Sequence, residues 1–148
     1  MRGQVAKRTV RHFGLDYDYE SWDLVPAEPF PPPLRRLRDR CATLAEGLER
    51  DRLAQALVSR YPPGAGIGWH RDAPAFGDPV IGVSLLGTSR MRFQRSAGGE
   101  RRVFELHLEP RSAYALAGSA RWAWQHSIPA TKELRYSVTF RTLRKGAG

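Results

Sequence analysis

From residue 55 onward, apolar and polar residues alternate in short runs that are typical of β-strands. Proline and glycine clusters separate these runs and mark turns. Short strands that follow one another without helices between them predict a β-sandwich or a barrel-like jelly roll rather than alternating β-α-β units. The predicted strands include residues 56–61, 80–86, 91–95, 103–108, 113–116 and 134–143.

A helical periodicity precedes this β-rich part. Between residues 34 and 50, apolar side chains recur every three or four positions, which places them on one stripe of a helix. Pro33 is a good first-turn residue, and most arginines of the stretch lie outside the stripe. The stripe is short for a coiled coil, so we expect a helix over 34–50 that packs on the sheet, with a dimer seam as the alternative. Its members are Leu34, Leu37, Cys41, Leu44 and Leu48.

Residues 1–33 are rich in aromatic residues and prolines. Residues 9–13 and 17–19 are predicted strands, and five prolines between 26 and 33 disfavour a helix before residue 34. The chain is therefore expected to form one domain over 1–148. Its parts would be N-terminal strands (1–33), one helix (34–50) and a jelly-roll core (55–144).

Composition and net charge indicate the kind of partner and the cellular compartment to expect. The chain has 148 residues with 41% hydrophobic residues, which suits one compact core. A net charge of +9 indicates attraction to polyanions such as nucleic acid. A single cysteine, Cys41, excludes an intramolecular disulfide and favours a reducing compartment, so we expect a cytoplasmic protein. No apolar run approaches the roughly 20 residues that span a bilayer, and no signal-peptide pattern opens the chain, so no membrane partner is expected.

His70 and Asp72 are candidate metal ligands. In a strand, residues two apart point to the same side, so both side chains could reach one ion. His126 follows far downstream, and a jelly roll can bring such distant strand ends together. Two imidazoles and one carboxylate leave coordination positions open, as a non-heme Fe(II) oxygenase requires. The three residues are therefore a candidate metal site.

The C-terminal strand supplies a second feature. Alternation places Arg135, Ser137, Thr139 and Arg141 on one face of this strand, which should line a pocket. Guanidinium groups bind carboxylates through paired, charge-assisted hydrogen bonds, and the spacing of the two arginines suits a small dicarboxylate. The alternative is an amphipathic edge strand with solvated arginines.

Together these residues resemble the AlkB-like Fe(II)/2-oxoglutarate-dependent dioxygenase family. The resemblance covers nearly the whole chain, weakly before residue 34 and strongly after residue 57. It implies a mainly β fold with one or two helices (α+β) and a double-stranded β-helix core. The motifs that carry it are Ser59-Arg60-Tyr61, Trp69-His70-Arg71-Asp72, His126-Ser127-Ile128-Pro129 and Arg135-Tyr136-Ser137-Val138-Thr139-Phe140-Arg141.

The resemblance also implies residue roles. Iron would be bound by His70, Asp72 and His126, with 2-oxoglutarate as co-substrate and O₂ as oxidant. Arg135 and Tyr61 would bind the distal carboxylate of 2-oxoglutarate. Further residues expected around the co-substrate are Arg141, near its iron-chelating end, and Ser59 and Ser137, where the family's repair enzymes carry asparagine.

Substrate contacts are expected from the N-terminal strands and the aromatic residues. Tyr17 and Tyr19 would lie in the lid that covers the target base, and this lid would be partial because the chain starts late within the family's pattern. Arg8 and Arg11 could contact phosphates. The other candidate aromatic walls are Trp69, which adjoins a metal ligand, Trp22, and Trp122 with Trp124 on one strand face.

Three functional hypotheses follow. The first is a dioxygenase that removes alkyl groups from nitrogens of DNA or RNA bases, as in DNA repair, and releases formaldehyde, succinate and CO₂. The second is the same oxygenase chemistry on a protein side chain or a small molecule. The third is a non-catalytic basic module that binds nucleic acid. Ala73-Pro74 after Asp72 replaces an acidic residue that helps to choose the base in the best-known repair enzyme, so base preference stays open. A monomer is expected.

Overall fold

The computed structural model describes residues 6–18, 20–21 and 23–144. Two helices are present in this part of the chain, α1 (Pro32–Ala42) and α2 (Ser119–Trp122), with a 3-10 turn at Arg50–Arg52. The strands are β1 (Thr9–Phe13), β2 (Leu15–Asp18), β3 (Asp23–Pro26), β4 (Leu53–Tyr61), β5 (Ile67–His70), β6 (Phe76–Leu86), β7 (Ser89–Ala97), β8 (Glu100–Leu108), β9 (Ser112–Leu116), β10 (Gln125–Ile128) and β11 (Arg135–Leu143).

The strands form two larger antiparallel sheets and a small hairpin. One sheet has the order β1-β4-β11-β6-β9, the other has the order β5-β10-β7-β8, and β2 pairs with β3. Neighbours within each sheet are mostly distant in sequence, as expected of a jelly roll. The predicted mainly β fold with one or two helices and a double-stranded β-helix core is confirmed.

Apolar residues occupy both faces of the five-stranded sheet. On one face, Val80 and Leu116 pack with Met91, Phe93 and other residues of the four-stranded sheet. The opposite face carries α1, whose buried Cys41 and half-buried Leu34 and Leu37 pack against a cluster that includes Val138 and Phe140. The five-stranded sheet is thus the middle layer, and the space between the two sheets holds the site described below.

The predicted helix over 34–50 is too long, because α1 ends at Ala42. The Thr43 hydroxyl donates to the carbonyl of Arg40, and Gly47 takes a positive φ of 74° in the following turn. Leu44 is 49% exposed, whereas Leu48 packs against the core from the turn region. The apolar periodicity of the sequence extends beyond Ala42 because a residue of the following turn, Leu48, also packs against the core.

The N-terminal strand is confirmed, and β1 pairs with β4 at the edge of the five-stranded sheet. A second strand is present but covers Leu15–Asp18, and its partner β3 was not predicted. Tyr19 and Trp22 lie outside the described residues, so their predicted contacts stay predictions. Within the described residues, none of the helices has the length and apolar character needed to cross a bilayer.

Candidate metal centre and co-substrate pocket

A cavity of about 240 Å³ lies between the two sheets. β4 and β11 form one wall, and the other walls come from β1, β5, β9 and β10 together with the loop after β5. The residues predicted to face a pocket from the C-terminal strand all line this cavity: Arg135, Ser137, Thr139 and Arg141. The predicted alternation is therefore confirmed for this strand, and the alternative of solvated arginines on an edge strand is wrong because β11 lies between β4 and β6.

The structure brings His70, Asp72 and His126 together. One ligand atom from each residue lies within 4.8 Å of the others. His70 ends β5 and pairs in register with His126 on β10, so their ring centroids are 4.3 Å apart. Asp72 was expected in the same strand as His70 but lies in the loop after it, because β5 ends at His70. The loop, rather than strand alternation, turns the Asp72 carboxylate toward the two imidazoles.

Arg121 fixes this loop, a role that was not predicted from the sequence. The residue is 3% exposed, and its guanidinium donates four hydrogen bonds to backbone carbonyls, at 2.8–3.3 Å. Its cation also packs 4.0 Å from the ring centroid of Trp122. The acceptors belong to the loop and the start of β6: Asp72, Ala73, Phe76 and Gly77. Sequence offers only a weak signal here, an arginine in a short helix opposite the loop.

Asp72 is held as a carboxylate. Arg141 Nε donates to Asp72 Oδ2 at 2.6 Å, and Arg141 Nη1 donates to Gln55 Oε1 at 2.9 Å. Burial by itself would raise the pKa of the Asp72 carboxyl, but Arg141 and His126 outweigh it and keep this pKa well below its usual range. Asp72 Oδ1 faces His126 Nε2 at 3.4 Å. One carboxylate oxygen is thus engaged by Arg141 while the other points to the metal position.

His70 is prepared as a neutral ligand. Its Nδ1 lies 2.8 Å from the carbonyl oxygen of Gly68, a contact that places the proton on Nδ1 and leaves Nε2 for a metal. Burial and the neighbouring imidazole of His126 lower the pKa of His70. Two imidazoles and a carboxylate in this arrangement, with open positions around them, suit a non-heme Fe(II) ion.

Arg135 offers a binding position for a carboxylate. The residue is fully buried, and its Nε donates to Ser84 Oγ at 3.0 Å. Its Nη1 and Nη2 atoms have no hydrogen-bond partner among the described residues. The Tyr61 ring lies 5.0 Å from the guanidinium carbon. Because a buried guanidinium without an anion is costly, its free nitrogens suit an anionic ligand.

Tyr114 lines the same cavity from β9 and was not predicted as a site residue. Burial raises the pKa of its phenol, so the hydroxyl stays protonated as a hydrogen-bond donor. Gly82 pairs with Tyr114 in register, and a Cβ on Gly82 would lie 2.2 Å from the ring. The absence of a side chain at position 82 lets the ring lie across β6. Alternation in β9 could have indicated Tyr114, since it shares a face with the buried Leu116.

The remaining predicted residues divide into two groups. Lining the cavity are Tyr61, Ser59, Ser137, Tyr17 and Arg8. Trp69 does not line it, because alternation within β5 sends its side chain to the face opposite His70, where Arg92 and Arg101 flank the ring at 5.3 and 5.8 Å.

Arg11 also lies outside the cavity. It makes two 2.9 Å hydrogen bonds with Glu28 on the other face of β1, and its predicted phosphate contact stays a prediction. Trp122 and Trp124 do not share a strand, because Trp122 ends α2 and Trp124 precedes β10. Trp122 packs on Arg121, whereas the Trp124 ring lies edge-on to Phe104 at 5.2 Å.

Comparison with known proteins agrees with this geometry. The family model described as the 2OG-Fe(II) oxygenase superfamily matches residues 2–141. The mouse (Mus musculus) tRNA (carboxymethyluridine(34)-5-O)-methyltransferase ALKBH8 is 32% identical over 131 residues, which are 84% of this chain and 19% of the mouse protein. The chain thus spans about a fifth of that relative's length.

Two further relatives are named as homologues of AlkB or ALKBH8. The Arabidopsis thaliana Alkylated DNA repair protein ALKBH8 homolog is 30% identical, with 86% of this chain and 43% of the relative covered. The bovine (Bos taurus) alpha-ketoglutarate-dependent dioxygenase alkB homolog 7, mitochondrial, is 31% identical, with 89% and 68% covered.

A solved structure gives the same fold. The structure of OsALKBH1 matches with a TM-score of 0.66 at 16% identity, covering 91% of this chain and 78% of that chain. The family match implies Fe(II) as the metal, 2-oxoglutarate as the co-substrate and O₂ as the oxidant. From this match and the AlkB relatives, we conclude that this chain belongs to the 2OG-Fe(II) oxygenase superfamily and is an AlkB-like member of it.

Proposed function

We propose that this protein is an Fe(II)/2-oxoglutarate-dependent dioxygenase that oxidatively removes alkyl groups from nitrogens of DNA or RNA bases. The observation that carries the proposal is one cavity with two complementary parts. It contains the His70, Asp72 and His126 cluster together with the buried guanidinium of Arg135, whose terminal nitrogens have no partner among the described residues.

The metal would be held by Nε2 of His70, the Asp72 carboxylate and His126. When bound, Fe(II) and 2-oxoglutarate would let O₂ oxidise a C–H bond of the N-linked alkyl group, giving formaldehyde from a methyl group, with succinate and CO₂. Arg141 keeps Asp72 ionised, and the Gly68 carbonyl keeps His70 in the ligating tautomer. These contacts orient the ligands before the metal arrives.

The co-substrate would be held at its far end by Arg135 and Tyr61. Nη1 and Nη2 of Arg135 would each donate to the distal carboxylate, and the Tyr61 side chain lies beside the guanidinium. Ser59 and Ser137 face each other across β4 and β11 along the path between the two ends of the cavity. Tyr114, whose ring lies across β6 in the same sheet, would exclude water from the side of the cavity next to β11.

A nucleic-acid substrate is supported by charge. Residues 53–148, which form both large sheets except β1, contain fourteen Lys and Arg residues and six Asp and Glu residues, whereas residues 1–52 contain ten and nine. Such an excess attracts phosphate backbones. Tyr17 at the cavity could stack on a base that has left its helix. The names of the mouse and Arabidopsis relatives refer to tRNA and to alkylated DNA.

The test is a turnover assay over a panel of N-methylated DNA and RNA oligonucleotides, with Fe(II), ascorbate and 2-oxoglutarate. We expect formaldehyde and succinate in equal amounts, together with the unmodified base by mass spectrometry. The His126→Ala variant should lose turnover, and the His107→Ala variant should retain it, because His107 lies exposed on β8. Succinate without base conversion on every oligonucleotide would redirect the proposal to a protein or small-molecule substrate.

A further inference from the structure

Arg8 lines the cavity together with three other arginines, the buried Arg135, Arg141 and the exposed Arg71. It lies just before β1 and is half-buried, in contrast to the exposed Lys7 and Thr9 on either side. Its Nη1 donates to Ser59 Oγ at 3.2 Å, and Ser59 is 1% exposed. Arg8 therefore reaches from the first strand into the interior rather than toward solvent.

Strand register places Arg8 in line with the co-substrate residues. Thr9 pairs with Arg60 between β1 and β4, so position 8 adjoins Tyr61, and Tyr61 pairs with Arg135 on β11. Three neighbouring strands thus present Arg8, Tyr61 and Arg135 in one row. Neighbouring strands are about 4.8 Å apart, which puts the backbones of the two arginines about 10 Å from each other with the tyrosine between them.

Ion pairing distinguishes Arg8 and Arg135 from Arg141. Arg141 is neutralised by Asp72 at 2.6 Å. Neither Arg8 nor Arg135 takes part in an ion pair among the described residues. Two uncompensated guanidinium groups that share one cavity repel each other unless an anion lies between them.

We infer that Arg8 binds the distal carboxylate of the co-substrate together with Arg135, so that the first strand is part of the 2-oxoglutarate site. This inference rests on the proposed 2-oxoglutarate-dependent function. Ser59 holds the Arg8 side chain in place, which leaves its other N–H groups for the ligand. The carboxylate would then lie between guanidinium groups from two different strands.

The first experiment is isothermal titration of Mn(II)-loaded protein with 2-oxoglutarate. Loss of a charge-assisted contact in Arg8→Ala should weaken binding about tenfold or more. Arg11→Ala is the matched control, because Arg11 lies on the same strand, carries the same charge and pairs with Glu28 outside the cavity. Its affinity should equal that of the wild type.

A second ligand locates the contact. 2-Oxopentanoate has the same carbon chain but a methyl group in place of the distal carboxylate, so wild type and Arg8→Ala should bind it equally. Equal affinity of both proteins for 2-oxoglutarate, with weaker binding of an oligonucleotide by Arg8→Ala, would instead assign Arg8 to a substrate phosphate and overturn the inference. A wild type that binds no 2-oxoglutarate would overturn the proposed function as well.

Hydrogen exchange gives a readout that a general loss of folding would not imitate. In the wild type and Arg11→Ala, 2-oxoglutarate should slow amide exchange in both β1 and β11. In Arg8→Ala at a saturating concentration, the protection of β11 should remain and that of β1 should disappear. Persistent ligand-dependent protection of β1 in Arg8→Ala would count against the inference.

Discussion

Arg135 shows how a single residue can reveal a ligand. Its guanidinium is fully buried, yet its only hydrogen bond among the described residues is donated by Nε to Ser84. A buried charge with this little compensation destabilises the free protein, and a bound carboxylate would remove that cost. The free protein and the complex should therefore respond in opposite ways to removal of the charge.

Arg135→Met tests this opposition. We expect the affinity for 2-oxoglutarate to fall by a factor of about 100 or more, since two charge-assisted hydrogen bonds of about 1.5–3 kcal/mol each would be lost. The thermal unfolding midpoint of the ligand-free variant should equal or exceed that of the wild type. Calorimetric titration and thermal melts measure the two quantities. A variant that loses stability but keeps its affinity for 2-oxoglutarate would show that Arg135 is a structural residue.

At the scale of single residues, alternation predicted the pocket-facing side chains of β11 because this strand is long and regular. The same rule, applied to a four-residue strand, would have excluded Trp69 from the pocket once His70 was assigned to it. Arg121 could not be identified in this way. Its partners are backbone carbonyls, which every residue has, so they leave no signal in the sequence.

At the scale of elements, the loop between β5 and β6 decides whether the metal site exists. His70 and His126 lie on paired strands, but Asp72 depends on a segment without regular hydrogen bonding. In place of hydrogen bonds between strands, Arg121 from α2 donates four hydrogen bonds to carbonyls of the loop and the start of β6. A four-residue helix thus positions a metal ligand that lies some fifty positions earlier in the chain.

Arg121→Met should release this loop. Because several buried carbonyls would lose their donor, the free energy of unfolding should fall by about 3 kcal/mol or more. The affinity for Mn(II) should fall at least tenfold, whereas Asp72 itself is retained. Urea unfolding and metal titration are the measurements.

Arg144→Met is the matched control for that change. Arg144 packs on the same indole, 5.5 Å from the ring centroid of Trp122, but its side chain donates to none of the loop carbonyls. Its removal should leave metal affinity unchanged. Equal effects of the two substitutions would show that packing on Trp122, rather than the hydrogen bonds of Arg121, holds the loop.

At the scale of the whole molecule, the site joins the two sheets. Two metal ligands come from the four-stranded sheet, whereas Arg135 and Arg141 come from the five-stranded sheet. Metal and co-substrate together would therefore link layers that are otherwise held by apolar packing and loops. A ligand that binds only the folded state raises its stability by mass action.

Mn(II) with 2-oxoglutarate should accordingly raise the thermal unfolding midpoint. At one hundred times the dissociation constant the stabilisation amounts to about 2.7 kcal/mol. His126→Ala should lose the metal-dependent part of this shift, and His107→Ala should keep it. Differential scanning calorimetry measures the shift. No shift for the wild type with both ligands present would contradict a shared site between the sheets.

The sequence by itself determined the fold class and the identity of the candidate ligands, because strand periodicity and the types of side chain are local properties. The net charge of +9 also indicated a positively charged surface that attracts polyanions. Only the tertiary structure decided which arginines lack a partner, where α1 ends, and how Asp72 reaches the two histidines. Those features depend on burial and on contacts between segments that are tens of residues apart, such as Arg121 with the Asp72 loop and Arg8 with Ser59. The local sequence pattern around each residue does not depend on such contacts, so it would be the same in a chain that folded differently.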